Sequence, residues 1–336
     1  MSAVPEGVGG TLVLPASDYA RDRTSWLAAR RSGLGASETA VALGLNDYRT
    51  PYQVWAEKIR TDDPVDEDPS EAARWGSVLE APVAREVSRR HHDLGKIAPS
   101  PGLFRHPEHT WLLATPDRIL VERGRRYSGR ALALLECKTV GDWAYRSSWT
   151  GDYPPNPYLV QVQQQLLVLD MDVAYLAALI GGQRMPAPWR IDRDDRVAQQ
   201  IVEYTGAWWE QYVVTGRAPA LTFADRSILS QVYPGDTDLD ALRADDRLVD
   251  VYARLLDARR REAEAKAERA ALEFEVQTAL GDRTALVDDA GAELVTWRPT
   301  TSRRLDPTAL RKALPDVAAE YTTASTSRRL VVKEVA

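Results

Sequence analysis

The stretch ALALLECKTV (131–140) opens as a buried strand and then places Glu136 and Lys138 two positions apart inside its apolar run. Side chains alternate across a strand, so the acid and the base share one face while Cys137 points to the other. A carboxylate and an ammonium are costly to bury unless each is paired, hydrogen-bonded or bound to a metal. Upstream, in ATPDRIL (114–120), Asp117 follows Pro116 at what reads as the junction of two strands. A β-meander running through TWLLATPDRILVE, a turn near RGRRYSG and ALALLECKTV brings Asp117 and Glu136 together. Two carboxylates beside an ammonium make a hard, oxygen-rich site suited to Mg²⁺ or Mn²⁺. Such a site serves phosphodiester hydrolysis. A third carboxylate is offered by Glu80, whose neighbours Leu79 and Val83 are expected to pack inward on an amphipathic helix. The plain alternatives are an ordinary ion pair for Glu136 and Lys138 and a solvated helix charge for Glu80.

Composition narrows the classes. The chain has 336 residues, 44% hydrophobic and 27% charged, as in ordinary soluble globular proteins. Its length exceeds one typical domain. A net charge of −6 gives no global sign of nucleic-acid binding, so any such contact must rest on local basic patches. A single cysteine, Cys137, excludes disulfides within the chain and cysteine-ligated zinc or iron–sulfur sites. The four histidines have no zinc spacing. There is no basic segment leading into an apolar core at the start and no run of about 18 apolar residues. The expectation is therefore a cytoplasmic protein without a membrane partner.

Around this strand the chain reads as helices first and a central sheet afterwards. Residues 1–20 suggest a flexible arm. TSWLAARRSGLGASETAVALGLNDY gives a helix, a turn at Gly33 and Gly35, and a second helix capped by Ser37. TPYQVWAEKIR continues as a helix, and Ser70 caps the next, which carries Trp75, Leu79, Val83 and Val87 on one stripe; Trp75 is expected in the core. A loop with Pro99, Pro101 and Pro107 leads into the meander. PYLVQVQQQLLVLDM reads as a helix with Gln161 and Gln165 one turn apart, and VAYLAALIGG as a strand. From residue 236 a long Ala-, Glu- and Arg-rich helical stretch, a hairpin, a short helix capped at Asp306 and a last strand, RRLVVKEV, form an extension. The domains expected are thus a 1–20 arm, a 21–235 catalytic domain and a 236–336 extension.

Pro116-Asp117 followed by Glu136-Cys137-Lys138 resembles the PD…ExK signature of the PD-(D/E)xK nuclease superfamily. The blocks GLGASETAVALGLNDYRTPYQVWAEKI, WGSVLEAPVAREV, TPDRIL, LLECKTV and YLVQVQQQLLV are similar, in order, to the YqaJ-type viral recombinase exonucleases, relatives of phage lambda exonuclease. The resemblance covers residues 24–215 and implies a fold: an α/β, restriction-endonuclease-like core, a central mixed β-sheet flanked by helices, followed by a C-terminal helical and β-hairpin extension. It also implies roles. Glu80, Asp117 and Glu136, with the backbone carbonyl of Cys137, would hold Mg²⁺ or Mn²⁺. Lys138 would assist the attacking water and Gln161 would contact the site. Arg30 and Ser37 would hold the 5′-phosphate of a DNA end, a reading that the Arg30-Arg31 pair supports with local positive charge. Ser37 as a mere cap is the alternative. The implied activity is 5′-to-3′ digestion of linear double-stranded DNA, leaving 3′ single strands for recombination. The implied setting is a phage or prophage in a bacterial host, with a single-strand annealing protein as partner and a ring-shaped homo-trimer as assembly. The rivals are another nuclease of the superfamily, such as an endonuclease or a Cas4/RecB-like enzyme, and a non-catalytic protein that binds DNA ends.

Overall fold

The computed structural model describes residues 4–19, 21–46, 49–61, 70–124, 129–149, 152–233, 241–323 and 328–333. It divides into two compact units, Met1–Ser227 and Ile228–Ala336, so the break falls earlier than the 235/236 boundary read from composition.

In the first unit the chain enters through β1 (Thr11–Pro15), α1 (Ala16–Tyr19), α2 (Arg23–Arg31), β2 (Leu34–Gly35), α3 (Ala36–Ala42) and α4 (Pro51–Ile59). The long α5 (Glu71–Arg90) follows, its first turn capped by Ser70, whose hydroxyl accepts the Ala73 N–H at 3.3 Å. Then come β3 (Lys96–Pro99), β4 (Gly102–Arg105), β5 (Leu112–Ala114), β6 (Arg118–Val121) and β7 (Ala131–Val140). The unit closes with α6 (Asp142–Ser148), α7 (Asn156–Leu169), β8 (Val173–Ile180), β9 (Trp189–Asp192) and α8 (Asp195–Trp208), which runs on as a π-helical turn, Trp209–Val214.

Five strands form the central sheet in the order β3-β6-β7-β8-β9. β7 and β8 are parallel, joined through α7, and the remaining pairs are antiparallel, so the sheet is mixed. Alternation along β7 builds two cores. Ala133, Leu135 and Cys137 pack with Val83, Ala84 and Val87 of α5, while Leu134 and Val140 pack with Val162 and Leu166 of α7. The helices cover the two faces because β7 is apolar on both, as strands buried on both faces are.

Three expectations are corrected here. The first residues are not a loose arm: β1 pairs antiparallel with β4 in a second sheet, β1-β4-β5-β2. Gly10 permits this, since at φ +76° a Cβ would stand 2.5 Å from the Val168 carbonyl. The Pro-punctuated segment is not a plain loop but carries β3 and β4, with Pro99 at the end of an edge strand where no N–H is required. The meander is broken, because β5 belongs to the second sheet and only β6 and β7 pair as expected.

Trp75 is also not in the core. It is 50% exposed on the solvent side of α5, with the Arg74 guanidinium 5.6 Å from its ring centroid. The inward stripe begins only at Leu79; before it, Ala73, Gly76 and Ser77 border an open cavity opposite β7 and not a packed core.

The second unit contains α9 (Leu229–Val232), the 35-residue α10 (Asp246–Leu280) ended at Gly281, the hairpin β10 (Ala285–Val287) and β11 (Glu293–Thr296), α11 (Pro307–Ala313) and α12 (Pro315–Glu320). Asp306 caps α11, accepting the N–H groups of Thr308 and Ala309. Residues 328–333, where a final strand was expected, are not paired, and 334–336 lie outside the described residues. No described helix is long and apolar enough to cross a membrane.

Candidate active site

The strand register assembles the acidic end of the site. Arg118 lies opposite Leu135, which puts Asp117, one residue earlier, beside Glu136. There the Asp117 carboxylate accepts the Cys137 N–H at 2.8 Å. Glu136 is 2% exposed, and every charge-bearing atom of it is engaged. Its Oε1 accepts from Lys138 Nζ at 2.6 Å and from Gln161 Nε2 at 2.6 Å, and its Oε2 accepts from Gln165 Nε2 at 2.8 Å. Lys138 donates in addition to Gln161 Oε1 at 3.0 Å. Gln161 and Gln165, one turn apart, therefore present one polar face of α7 to one carboxylate.

Sequence reasoning left Gln165 open and said nothing of its neighbours. The buried Gln163, Gln164 and Gln165 point three ways from α7. Gln163 bridges the Asp192 carbonyl and the Asp194 N–H; Gln164 donates to the carbonyls of Leu34 and Leu113 at 2.8 and 2.9 Å and accepts the Thr39 hydroxyl. The signal was present: three consecutive amides within an otherwise apolar helix need partners if they are buried.

Electrostatics divides the residues. Asp117 is pushed well above the usual carboxyl range, by burial first and then by the charges of Glu136 and Glu80. Burial pulls Lys138 down, but Glu136 and Asp117 outweigh it and leave the ammonium more basic than usual. The Cys137 thiol is pushed up by burial and then by Asp117 and Glu136, so it is inert; its side chain packs against Val83, Ala84 and Val87 of α5. Glu80 reaches the same region from α5 but is held by the Arg118 guanidinium. Among the described residues no three Asp, Glu, His or Cys side chains stand at metal-ligating spacing. The donor set nonetheless fits a hard divalent cation: it is all oxygen, and Asp117 carries repulsion from two other carboxylates that positive charge would relieve.

The second group of expected residues lies on the same cavity, of about 870 Å³, whose wall includes Arg30, Ser37, Glu80, Asp117, Glu136 and Lys138, and also Cys137 and Gln161. The structure thus brings all eight together. Ser37 is not the helix cap, however. That position belongs to Gly35, whose N–H donates to the Glu38 carboxylate at 2.8 Å, and this leaves Ser37 exposed on the cavity wall. Glu38, missed by the sequence reading, is 2% exposed and paired with Arg30 at 2.7 Å and with Lys58 at 2.6 Å. Burial raises its pKa, but Arg30 and then Lys58 overcome that and hold it down at about 2. Arg30 also lies 4.6 Å from the Trp26 ring centroid.

A mixed sheet between helices, with Asp117 just before one strand and Glu136 and Lys138 on its neighbour, is the arrangement that the PD…ExK resemblance implies. The model of the YqaJ-like viral recombinase domain matches residues 25–172. The YqaJ protein of Bacillus subtilis (strain 168) is 33% identical over 327 residues, 95% of this chain and 96% of that one. The chain belongs to the YqaJ family. Among solved structures, the alkaline exonuclease LHK-Exo of Laribacter hongkongensis is 19% identical, with a TM-score of 0.46 over 57% of this chain and 93% of its own. The same enzyme in complex with dAMP gives 18% identity and a TM-score of 0.47, covering 62% of this chain and 98% of that one.

Proposed function

We propose that the chain is a Mg²⁺-dependent (or Mn²⁺-dependent) exonuclease that digests linear double-stranded DNA from a 5′-phosphorylated end, 5′ to 3′, and leaves a 3′ single strand. The observation that carries this reading is the single cavity in which a carboxylate–lysine cluster and the Arg30–Ser37 corner face the same space. Asp117 and Glu136, joined by Glu80 once it leaves Arg118 and by the Cys137 carbonyl, would hold the ion. When bound, such an ion polarises a phosphoryl oxygen and makes water a competent nucleophile at neutral pH.

The remaining work falls to the chain's own groups. Lys138 stays protonated, because two carboxylates hold its proton; it therefore acts as a fixed positive hydrogen-bond donor toward the phosphate or the attacking water and not as a base. Gln161 holds Lys138 and Glu136 in register, and Gln165 fixes the second oxygen of Glu136. Arg30 and Ser37 would grip the terminal phosphate, which gives the digestion its direction. The 3′ strand left behind would be handed to a single-strand annealing protein, and a ring-shaped homo-trimer would keep the enzyme on its substrate.

The test compares linear duplexes carrying 5′-phosphate or 5′-hydroxyl with closed circular DNA, each with Mg²⁺ or EDTA, using wild type and Glu136→Ala. Metal-dependent loss of the linear substrates alone, faster with 5′-phosphate and absent in the variant, is expected. Cleavage of the circle would replace the reading with an endonuclease. Binding of ends without degradation would replace it with an end-binding protein.

A further inference from the structure

Behind Arg30 the wall of the cavity holds a charge that no substrate can touch. The Lys58 side chain is 1% exposed and that of Glu38 3%, whereas Arg30 keeps 22% of its side chain open toward the cavity. The Glu38 carboxylate is shared: one oxygen takes the Arg30 guanidinium, and the other takes both Lys58 Nζ and the Gly35 N–H. Lys58 also donates to the Arg30 carbonyl at 2.9 Å and so ties the end of α2 to α4. Gly35 leaves room for the pair, since a Cβ there would stand 3.2 Å from the Arg30 Nη2 and 3.3 Å from the Glu38 carboxylate.

We infer that Glu38 and Lys58 are positioning residues for end recognition: Glu38 aims the Arg30 guanidinium, and buried Lys58 keeps the Arg30–Glu38 pair from being neutral, so that together they set the preference for a 5′-phosphate. This rests on the end-recognition reading proposed above. The physical argument is one of net charge. Arg30 and Glu38 alone sum to zero, and a phosphate would have to displace a carboxylate already bonded to the guanidinium. Lys58 brings the sum to +1 inside protein, where its field is poorly screened, and a terminal phosphate monoester carries about −1.5 to −2. A 5′-hydroxyl end gains nothing from that field.

The experiment measures initial rates on two duplexes of one sequence, 5′-phosphorylated or 5′-hydroxyl, with Mg²⁺, and takes the ratio of their kcat/KM values. It uses wild type, Lys58→Gln, the charge-compensated double variant Glu38→Gln with Lys58→Met, and Glu38→Asp, with circular dichroism melts to check folding. Lys58→Gln retains a donor for Glu38 and is expected to lower the ratio about tenfold, mainly through KM on the phosphorylated end. The double variant restores the +1 and is expected to recover the ratio to within about threefold of wild type. Glu38→Asp keeps every charge but cannot reach both cations, so a reduced ratio is expected from misplacement alone. A folded Lys58→Gln with the wild-type ratio overturns the inference, as does an unselective but folded double variant. If Lys58→Gln does not fold, Glu38→Asp decides, and an unchanged ratio there is equally fatal. Wild type without any preference sinks the end-recognition reading, which separates the two failures.

Discussion

Asp117 and Glu136 sit side by side, yet their neutralisation is expected to move stability in opposite directions. Asp117 has one hydrogen-bond donor, the Cys137 N–H, and two carboxylates working against it. In Asp117→Asn the side-chain oxygen still accepts that N–H, and the repulsion disappears. Relief of such functional-site strain commonly stabilises by about 1–2 kcal/mol, which for a unit of this size raises Tm by about 2–8 °C. Glu136 is the reverse case. It takes Lys138, Gln161 and Gln165, and Glu136→Gln leaves the Lys138 ammonium, whose side chain is only 20% exposed, without its partner. Breaking a fully buried pair costs about 3–5 kcal/mol; with the residual exposure of Lys138 and the charge of Asp117 nearby, about 2–3 kcal/mol is expected here. The assay is urea and thermal unfolding of both variants in EDTA, alongside nuclease activity in Mg²⁺, which both variants are expected to lose. If Asp117→Asn destabilised the metal-free chain as much as Glu136→Gln does, the account of Asp117 as an excess charge awaiting a cation would be refuted.

Other outcomes follow from the same geometry. Glu38, held at about 2 against an ordinary 4.5, favours the folded state above its unfolded pKa and loses that contribution as pH falls from about 5 towards 2. The gross effect is about 3 kcal/mol, offset in part by Lys58, whose own pKa is lowered chiefly by burial; acid titration of wild type against the Glu38→Gln, Lys58→Met double variant should show a shallower acid limb in the variant. Gln164→Leu strands the Leu34 and Leu113 carbonyls and the Thr39 hydroxyl, and should cost about 2–4 kcal/mol in urea unfolding. Trp75→Ala, at a site 50% exposed, should change stability by less than about 1 kcal/mol; a core-sized loss would show that the residue packs inward after all.

The acidic end was legible because strand alternation is local: residues 131–140 already state that Glu136 and Lys138 share a face and that Cys137 does not. Asp117 was legible through its Pro116 neighbour and through the expected antiparallel pairing of its strand with the one that carries Glu136. What escaped the reading depends on distant partners. Nothing near Glu38 announces that Lys58, one helix later, will meet it, and the first turn of α3 reads equally well with Ser37 or Gly35 as its cap. β3 was hidden by Pro99, whose restriction is severe in a central strand and slight at an edge, and β4 by the flanking Pro101 and Pro107, which lie outside the strand itself. Trp75 was misplaced because helical periodicity gives the direction of a side chain but not whether the helix there meets a packed core or, as the first turns of α5 do, an open cavity.

The helix α7 explains why these separated pieces form one cavity. Its Gln161 and Gln165 hold the carboxylate of β7, its Gln164 holds β2, β5 and α3, and its Gln163 holds the segment after β9. Each amide is buried or part-buried, so a loss of register between α7 and any of these elements would leave polar groups unpaired, a cost of about 1–3 kcal/mol for each. The strand bearing Glu136 and Lys138 and the turn bearing Ser37 are therefore not independent pieces that happen to meet; Gln161 and Gln165 fix the first and Gln164 the second, all from one helix. On the reading proposed above, cleavage at a set distance from a terminal phosphate would need these pieces held by one element, because an error of about 1 Å in placement is enough to lose much of the rate.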